Sequence, residues 1–469
     1  MNVGSPGRTP SAGGARYPRI VDGRGREGPA GRSAAAGRPA SVGVGGAFSI
    51  GIGGIVGGGI FATLGLAAAE AGGATWISFA VGGVLALLTA YAYVHLSLAF
   101  PSRGGTVAFL DRAFGSGVRA GGVSTILVAS YVVILALYAA AFASYASTLL
   151  PADMREASLR PLTLGIIVAL ALVNLVGPRL VTRTEGFFNV GKLGILALFV
   201  VVGFAGGTID TARLAPSTWP GPMAIVSAGM LVFLSYEGFE LIANASDRVR
   251  DPGRTLPIAF FGSVAVAAVL YVLIVIVTTG SLSPAELAAA QSNVLTAAGE
   301  AVMGPPGAVL LAIGAILATA SAINADYFGA SKLPVVLAEQ DEAPEVAGRE
   351  VWGRHPVGLG LIMILALGCA AFLDLHALSA AASAGFIAAF AVVNGANARL
   401  ADRTGSRRWI SIVGAVACVV ALVALVLDLL RQPAHGPEVA VIAALLVLPF
   451  VYQAVYQRLV VARRTAGTA

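Results

Sequence analysis

Three features of this chain could bind or move a charge inside an apolar segment: the glycine-rich run from Gly51 to Phe61 (GIGGIVGGGIF), the cation Lys192, and the carboxylates Glu237 and Glu240. Gly57, Gly58 and Gly59 are consecutive, and each weakens a helix by roughly 1 kcal/mol relative to alanine. Backbone groups freed by such a break find no water in lipid, so the break must face protein or a wet cavity. N–H groups at the start of the following half-helix would then point into that cavity with the positive end of a helix dipole behind them, a seat for a carboxylate. The same glycines also suit plain packing, since Gly53 with Gly57 and Gly54 with Gly58 have the four-residue spacing that brings membrane helices close. A dinucleotide loop does not fit, because the three-glycine fingerprint is absent and no strand precedes it.

Lys192 falls inside an apolar span, where a cation costs about 2.5 to 3.5 kcal/mol and must face partners. Lys192 and Lys332 are the only lysines among many arginines. Arginine cannot release its proton and a desolvated lysine can, so Lys192 reads as a proton-carrying group. The plainer alternative is a permanently charged lysine that ties helices together. Glu237 and Glu240 sit in a second interrupted span, at SYEGFE from Ser235 to Glu240. There a carboxylate can accept bonds from unwound N–H groups, meet a cationic substrate, or carry a proton. Glu240 is read first as structural, with proton carriage as its alternative, and Glu237 stays open. Asp326 is expected to make a polar contact near the cytoplasmic end of its span, Glu70 to be a wetted loop residue, and Tyr131 and Tyr138 to pack or to line the pocket.

The elements that must position these groups follow from composition. The chain has 469 residues, 57% hydrophobic and 12% charged, with a mean hydropathy of +0.84. That is an all-α polytopic membrane protein. Residues 1–40 are rich in Gly, Pro, Ser and Arg and cannot bury enough surface to fold, so they are expected to form a disordered cytoplasmic tail. Twelve spans follow, at 41–66, 75–99, 118–149, 159–177, 186–206, 222–244, 257–280, 305–331, 356–373, 376–398, 408–430 and 438–460. All arginines but Arg155, Arg160, Arg213 and Arg431 fall in the tail, in alternate turns or in the last segment, which places both termini in the cytoplasm. The formal charge of +6 is thereby explained by membrane orientation, and no nucleic-acid partner is implied. Cys369 and Cys418 lie in apolar spans without neighbouring ligands, so neither a disulfide, a metal nor a cofactor is expected. The two interrupted spans stand five helices apart, the pattern of an inverted repeat with its binding site near the midplane.

Several motifs occur in a telling order: Gly57 to Phe61; Phe100 to Gly105, followed by Arg112 to Gly115; Asn189 to Lys192; Tyr236 to Glu240; Asp251 to Ile258; and Ser321 to Asn324. Together they resemble the amino acid-polyamine-organocation superfamily of permeases, from residue 41 onward. The resemblance implies the leucine-transporter fold: a transport core at 41–398, with repeat 1 at about 41–206 and repeat 2 at about 222–398, and two peripheral helices in 399–469. It implies that the N–H groups of Gly58 and Gly59, beside Gly57, hold a substrate carboxylate, and that carbonyls of Ile55, Leu234 and Glu237 hold the amino group. It also implies that protonated Lys192 bonds to a carbonyl near Gly53 and to the Ser321 hydroxyl. Two departures stand out: Leu234 replaces a family aromatic gate, and Val107 and Phe109 stand where tyrosines are usual.

The expected function is secondary active transport of amino acids or related amines across the cytoplasmic membrane, by proton symport, with substrate, proton and lipid bilayer as the partners. Exchange of one amino acid for another is the runner-up. From another class, a proton-conducting subunit of a respiratory complex would carry several buried lysines and glutamates along a lateral path, whereas only Lys192 lies mid-span among the cations here. An enzyme is disfavoured, since His95, His355, His376 and His435 are scattered and no nucleophile or metal spacing accompanies them.

Overall fold

The computed structural model describes residues 41–102, 104–176, 178–340, 342–344, 346, 356–431 and 436–466, so the expected tail at 1–40 lies outside the described residues. The chain runs through α1 (Val44–Ile55), α2 (Gly59–Ala71), α3 (Thr75–Ala99), α4 (Gly105–Phe114), α5 (Val118–Ser147), α6 (Arg155–Val176) and α7 (Pro178–Ala205). Then come α8 (Pro222–Leu231), two 3₁₀ segments at Phe233–Tyr236 and Phe239–Arg248, α9 (Pro252–Ser281), α10 (Pro284–Ala289), α11 (Val294–Met303) and α12 (Pro305–Ala330). The remainder is α13 (Leu333–Glu339), α14 (Pro356–Phe372), α15 (Leu375–Arg399), α16 (Ala401–Thr404), α17 (Arg408–Arg431) and α18 (Gly436–Ala466).

Among the described residues, 8 helical runs are long and apolar enough to cross a membrane, and α8 with the segment after it makes a ninth, bent by 47°. The protein is therefore a multi-pass membrane protein. Of the other expected spans, the first corresponds to α1 and α2, the fifth to 189–205 within α7, and the ninth to α14, all short apolar helices apart from the continuation of α2 into α3. That continuation runs through a single 3₁₀ turn, Gly72–Ala74, where the sequence suggests a loop.

Loops expected on either side of the spans hold helices of their own. In the stretch before α12, Ser283 accepts from the Glu286 N–H while the Glu286 carboxylate accepts from the Ser283 N–H, and Pro284 occupies the first turn of α10. This reciprocal cap is written in the sequence as SPAE and satisfies two backbone donors that would otherwise need water.

Both breaks are local consequences of glycine. Along the first helix the α-pattern ends with Val56 N–H donating to the Ile52 carbonyl at 2.9 Å, the Gly57 N–H turns back onto the Ile55 carbonyl at 2.8 Å, and α2 starts at Gly59. In the sixth, Glu237 is extended (φ −63°, ψ 154°) and Gly238 takes φ 109°, a left-handed value that a side chain would resist. The breaks then meet backbone to backbone. A Cβ on Gly54 would stand 2.7 Å from the Gly238 carbonyl oxygen, and one on Gly59 would stand 2.5 Å from the Ser235 Cα. The close-packing role of the glycine run therefore holds at Gly54 and Gly59.

The ends of the same two helices are also tied. Ser41 and Val42 N–H groups donate to the Arg248 carbonyl at 3.0 and 3.1 Å, and the Arg250 N–H donates to Val42 at 2.8 Å. Around this pair α9 packs on α1 and α3, while α5 packs on α6, α12 and α15. Tyr93 sets its ring edge-on to Phe109, Phe239 and Phe390 with centroids 5.5 to 6.1 Å apart, fixing the second half of the sixth helix against its neighbours.

Beyond α13 the chain buries Glu342 at the start of α5, where its Oε1 accepts from the Gly117 N–H at 3.0 Å, and Gln453 of α18 donates to its carbonyl at 2.7 Å. Burial pushes this carboxyl up from the ordinary 4.5 to about 7, the Gly117 bond pulling the other way and Asp111 adding to the rise. The folded protein keeps a proton that the unfolded chain releases between those values, so this group's contribution to stability falls as pH rises through that window. Thermal melts of the purified protein should show a decline from pH 5 to pH 8 that is shallower in Glu342→Gln; an identical slope in the variant would count against this origin.

Candidate functional site

The paired breaks are held by buried side chains, two of which, Tyr271 and Glu240, bond backbone groups that a continuous helix would have satisfied itself. Tyr271, fully buried on α9, donates its hydroxyl to the Ile55 carbonyl at 2.7 Å and to the Ser235 carbonyl at 3.1 Å, one from each break. Glu240 accepts from the Gly238 N–H at 2.8 Å with one oxygen and from the Tyr131 hydroxyl, on α5, at 2.8 Å with the other. Thr63 of α2 and Ser235 of the sixth-helix break share a hydroxyl bond of 2.9 Å. Each bond answers a backbone or side-chain group that has no access to solvent, where an unmade bond costs about 1 to 3 kcal/mol.

The residues singled out in the sequence gather here. Gly57 lies against α12, where a Cβ would meet that of Ala322 at 3.1 Å, next in sequence to the half-buried Ser321. Gly58 faces the ring of Tyr138, 2.6 Å from where its Cβ would be, and Gly59 opens α2, whose first N–H groups have no carbonyl a turn before them. The Ile55 carbonyl already accepts from Gly57 and Tyr271, and the Leu234 carbonyl accepts from the Glu237 N–H at 3.0 Å. Lys192 is 0% exposed and its ammonium donates to the Gly53 carbonyl at 3.0 Å, with the Asn189 amide packed against the same glycine. A charge-assisted bond of this kind is about twice as strong as a neutral one.

Below the breaks runs a narrow cleft between α4, α5, α12 and the Phe239–Arg248 segment, lined by Thr106, Leu127, Tyr131, Glu240, Asn244 and Gly329 among others. It has room for about one water, and Glu240 with Tyr131 forms part of its wall.

Several placements differ from the expected ones. Asp326, expected to make a polar contact near the cytoplasmic end of its span, is 5% exposed and lies within the electrostatic reach of Glu237 and Glu240, so it belongs with the buried carboxylates. Its place four residues beyond Ala322 turns it inward. Glu70 is no free loop residue: its Oε1 lies 3.2 Å from Nε2 of His376, because the end of α2 lies beside the start of α15. Tyr131 and Tyr138 face the breaks. Tyr271 carries no signal in the sequence, since a tyrosine within an apolar helix reads as packing. Among the described residues no group of three His, Cys, Asp or Glu is arranged to hold a metal ion.

Comparison with known proteins bears on the same stretch. The family model "Amino acid permease" matches residues 43–452. The inner membrane transport protein YbaT of Escherichia coli is 32% identical over 381 residues, covering 81% of this chain and 88% of that protein. The methylthioribose transporter of Bacillus subtilis is 27% identical over 365 residues, 72% of this chain and 76% of its own length. The cationic amino acid transporter 1 of Arabidopsis thaliana is 27% identical over 237 residues, 48% of this chain and 39% of its own.

Tyr271→Phe removes the hydroxyl that spans the two breaks and leaves the buried Ser235 carbonyl short of a donor. The variant should lose about 1 to 3 kcal/mol of stability, read as a lower melting temperature in detergent, together with most of its transport. Wild-type values for both would mean that the bridge carries no weight.

Proposed function

The chain belongs to the amino acid permease family, a family of membrane transporters and not of enzymes, and on that footing we propose that it carries amino acids or related amines by alternating access coupled to proton symport. The full architecture in this reading is twelve spans in the leucine-transporter arrangement, with repeats at about 41–206 and 222–398, residues 399–469 peripheral, and both ends in the cytoplasm. The substrate carboxylate rests on the N–H groups of Gly58 and Gly59. Its ammonium draws on the carbonyls of Ile55, Leu234 and Glu237, competing for the first with Tyr271.

The observation that carries this reading is the bond from the buried Lys192 ammonium to the Gly53 carbonyl, at the foot of the first break. A protonated Lys192, bonded also to the Ser321 hydroxyl, holds α1 against α7 and α12. Release of the proton removes the charge from those bonds and lets the helices part, and recapture closes them. Proton movement is thereby tied to the rocking of one bundle on the other. Exchange is favoured instead if the lysine never releases its proton, a possibility to which its bond to the Gly53 carbonyl lends support, whereas its complete burial favours release.

Purified protein in liposomes decides between them. Under an imposed pH gradient the wild type should accumulate labelled amino acid, and Lys192→Met should lose that accumulation at least tenfold. Counterflow retained in Lys192→Met without gradient-driven uptake would agree with proton coupling through this lysine. Full gradient-driven accumulation in the variant would remove the proposal, and counterflow alone in the wild type would establish exchange.

A further inference from the structure

Two buried carboxylates have no task in that cycle. Glu237, 3% exposed, stands at the centre of the sixth-helix break, and Asp326, 5% exposed, stands one turn along α12 from the alanine that abuts Gly57. Glu237 Oε1 and Asp326 Oδ2 are both sealed from solvent and accept no hydrogen bond from the described residues. Glu240, three residues further on, has both oxygens engaged by Tyr131 and Gly238. A buried carboxylate left unpaired costs several kcal/mol unless it holds a proton or meets a cation.

The charge around the breaks is correspondingly lopsided. Among the described residues Lys192 is the one buried Lys or Arg, and it is directed at the Gly53 carbonyl. Against it stand Glu237, Glu240 and Asp326. Glu237 lies close to Glu240, and two neighbouring carboxyls can share a single proton. Asp326 feels the other two through space only, so it needs a proton of its own or a cationic partner.

The surroundings suit an organic cation. Tyr131 and Tyr138 from α5 and Tyr271 from α9 lie within the field of Glu237. Tyr138, 3% exposed, lays its ring against Gly58 and has a hydroxyl with no hydrogen-bond partner among the described residues. An ammonium or guanidinium beside a tyrosine ring gains a further attraction from the ring face. It also brings several N–H donors to oxygens that have none.

We propose that Glu237 and Asp326 form a cation subsite next to the backbone seat, so that the substrate is an amino acid or amine with a second positive group, such as a basic amino acid or a diamine. This rests on the permease reading and narrows it. The α-carboxylate and α-ammonium, where present, lie on the opened backbone, and the distal cation lies between the two side-chain carboxylates. A neutral side chain there leaves both acids unpaired and pays their desolvation.

Uptake into liposomes of labelled lysine, arginine and putrescine, set beside leucine and alanine, tests this on the unaltered protein. The cationic set should be taken up with KM at least tenfold lower. Glu237→Gln and Asp326→Asn, each near in shape to the native residue, should raise the ratio of KM for the cationic set to KM for the neutral set tenfold or more. Thermal shifts by the same ligands at fixed pH give a readout independent of turnover. Preference of the wild type for neutral amino acids would overturn the subsite and leave the permease reading standing. Variants that lose gradient-driven accumulation at unchanged KM would show that the pair carries a proton instead. Uptake of no amino acid or amine at all would overturn both.

Discussion

Everything in the site depends on backbone meeting backbone where two helices stop short inside the membrane. Gly54 lies on the Gly238 carbonyl and Gly59 on Ser235, at distances that leave no room for a Cβ. Lipid cannot hydrogen-bond the peptide groups that such an ending exposes. The structure therefore has to supply partners from neighbouring helices, and it does so with Tyr271 for two carbonyls, Glu240 for one N–H, and the Thr63 and Ser235 hydroxyls for each other. Close contact and opened backbone are thus one device: the same glycines that let the helices approach also weaken them enough to open.

Charge follows from that device. An opened helix offers carbonyl oxygens, and Lys192 meets one of them at Gly53. It also offers N–H groups, and Glu240 meets one at Gly238. These two ionisable side chains are held by backbone that continuous helices would have kept to themselves, which is why their burial is tolerable. Glu237 and Asp326 differ in kind, since each has an oxygen that no described residue answers. A site with one set of charges satisfied from within and another left open has the form expected of a carrier that must take up a charged cargo and let it go.

Much of the periphery is held by ordinary means. The capping box at Ser283 and Glu286 shapes the stretch ahead of α12, the Glu342 carboxylate meets the start of α5, and the bond between His376 and Glu70 joins α15 to α2. None of these touches the breaks, yet α2, α5 and α12 carry Gly59, Tyr131, Tyr138 and Asp326. Their positions relative to one another set the width of the seat.

The sequence by itself determined the membrane class, the helical make-up, both interruptions and the residues at them, because glycine runs and buried charges are local and costly in lipid and so stand out in one dimension. It also carried the family, through short motifs in a fixed order from Gly57 to Asn324. It did not contain the partners. Tyr271 bridges the breaks, Tyr138 faces Gly58, Asp326 joins Glu237, and His376 reaches Glu70 across 306 positions. Those pairings belong to tertiary structure alone, since a tyrosine in an apolar helix or an acid near a helix end gives the same local pattern whether it faces lipid, water or an opened backbone. Which of the three it faces is set by how neighbouring helices rotate and cross, and the packing that decides this is summed over the whole bundle.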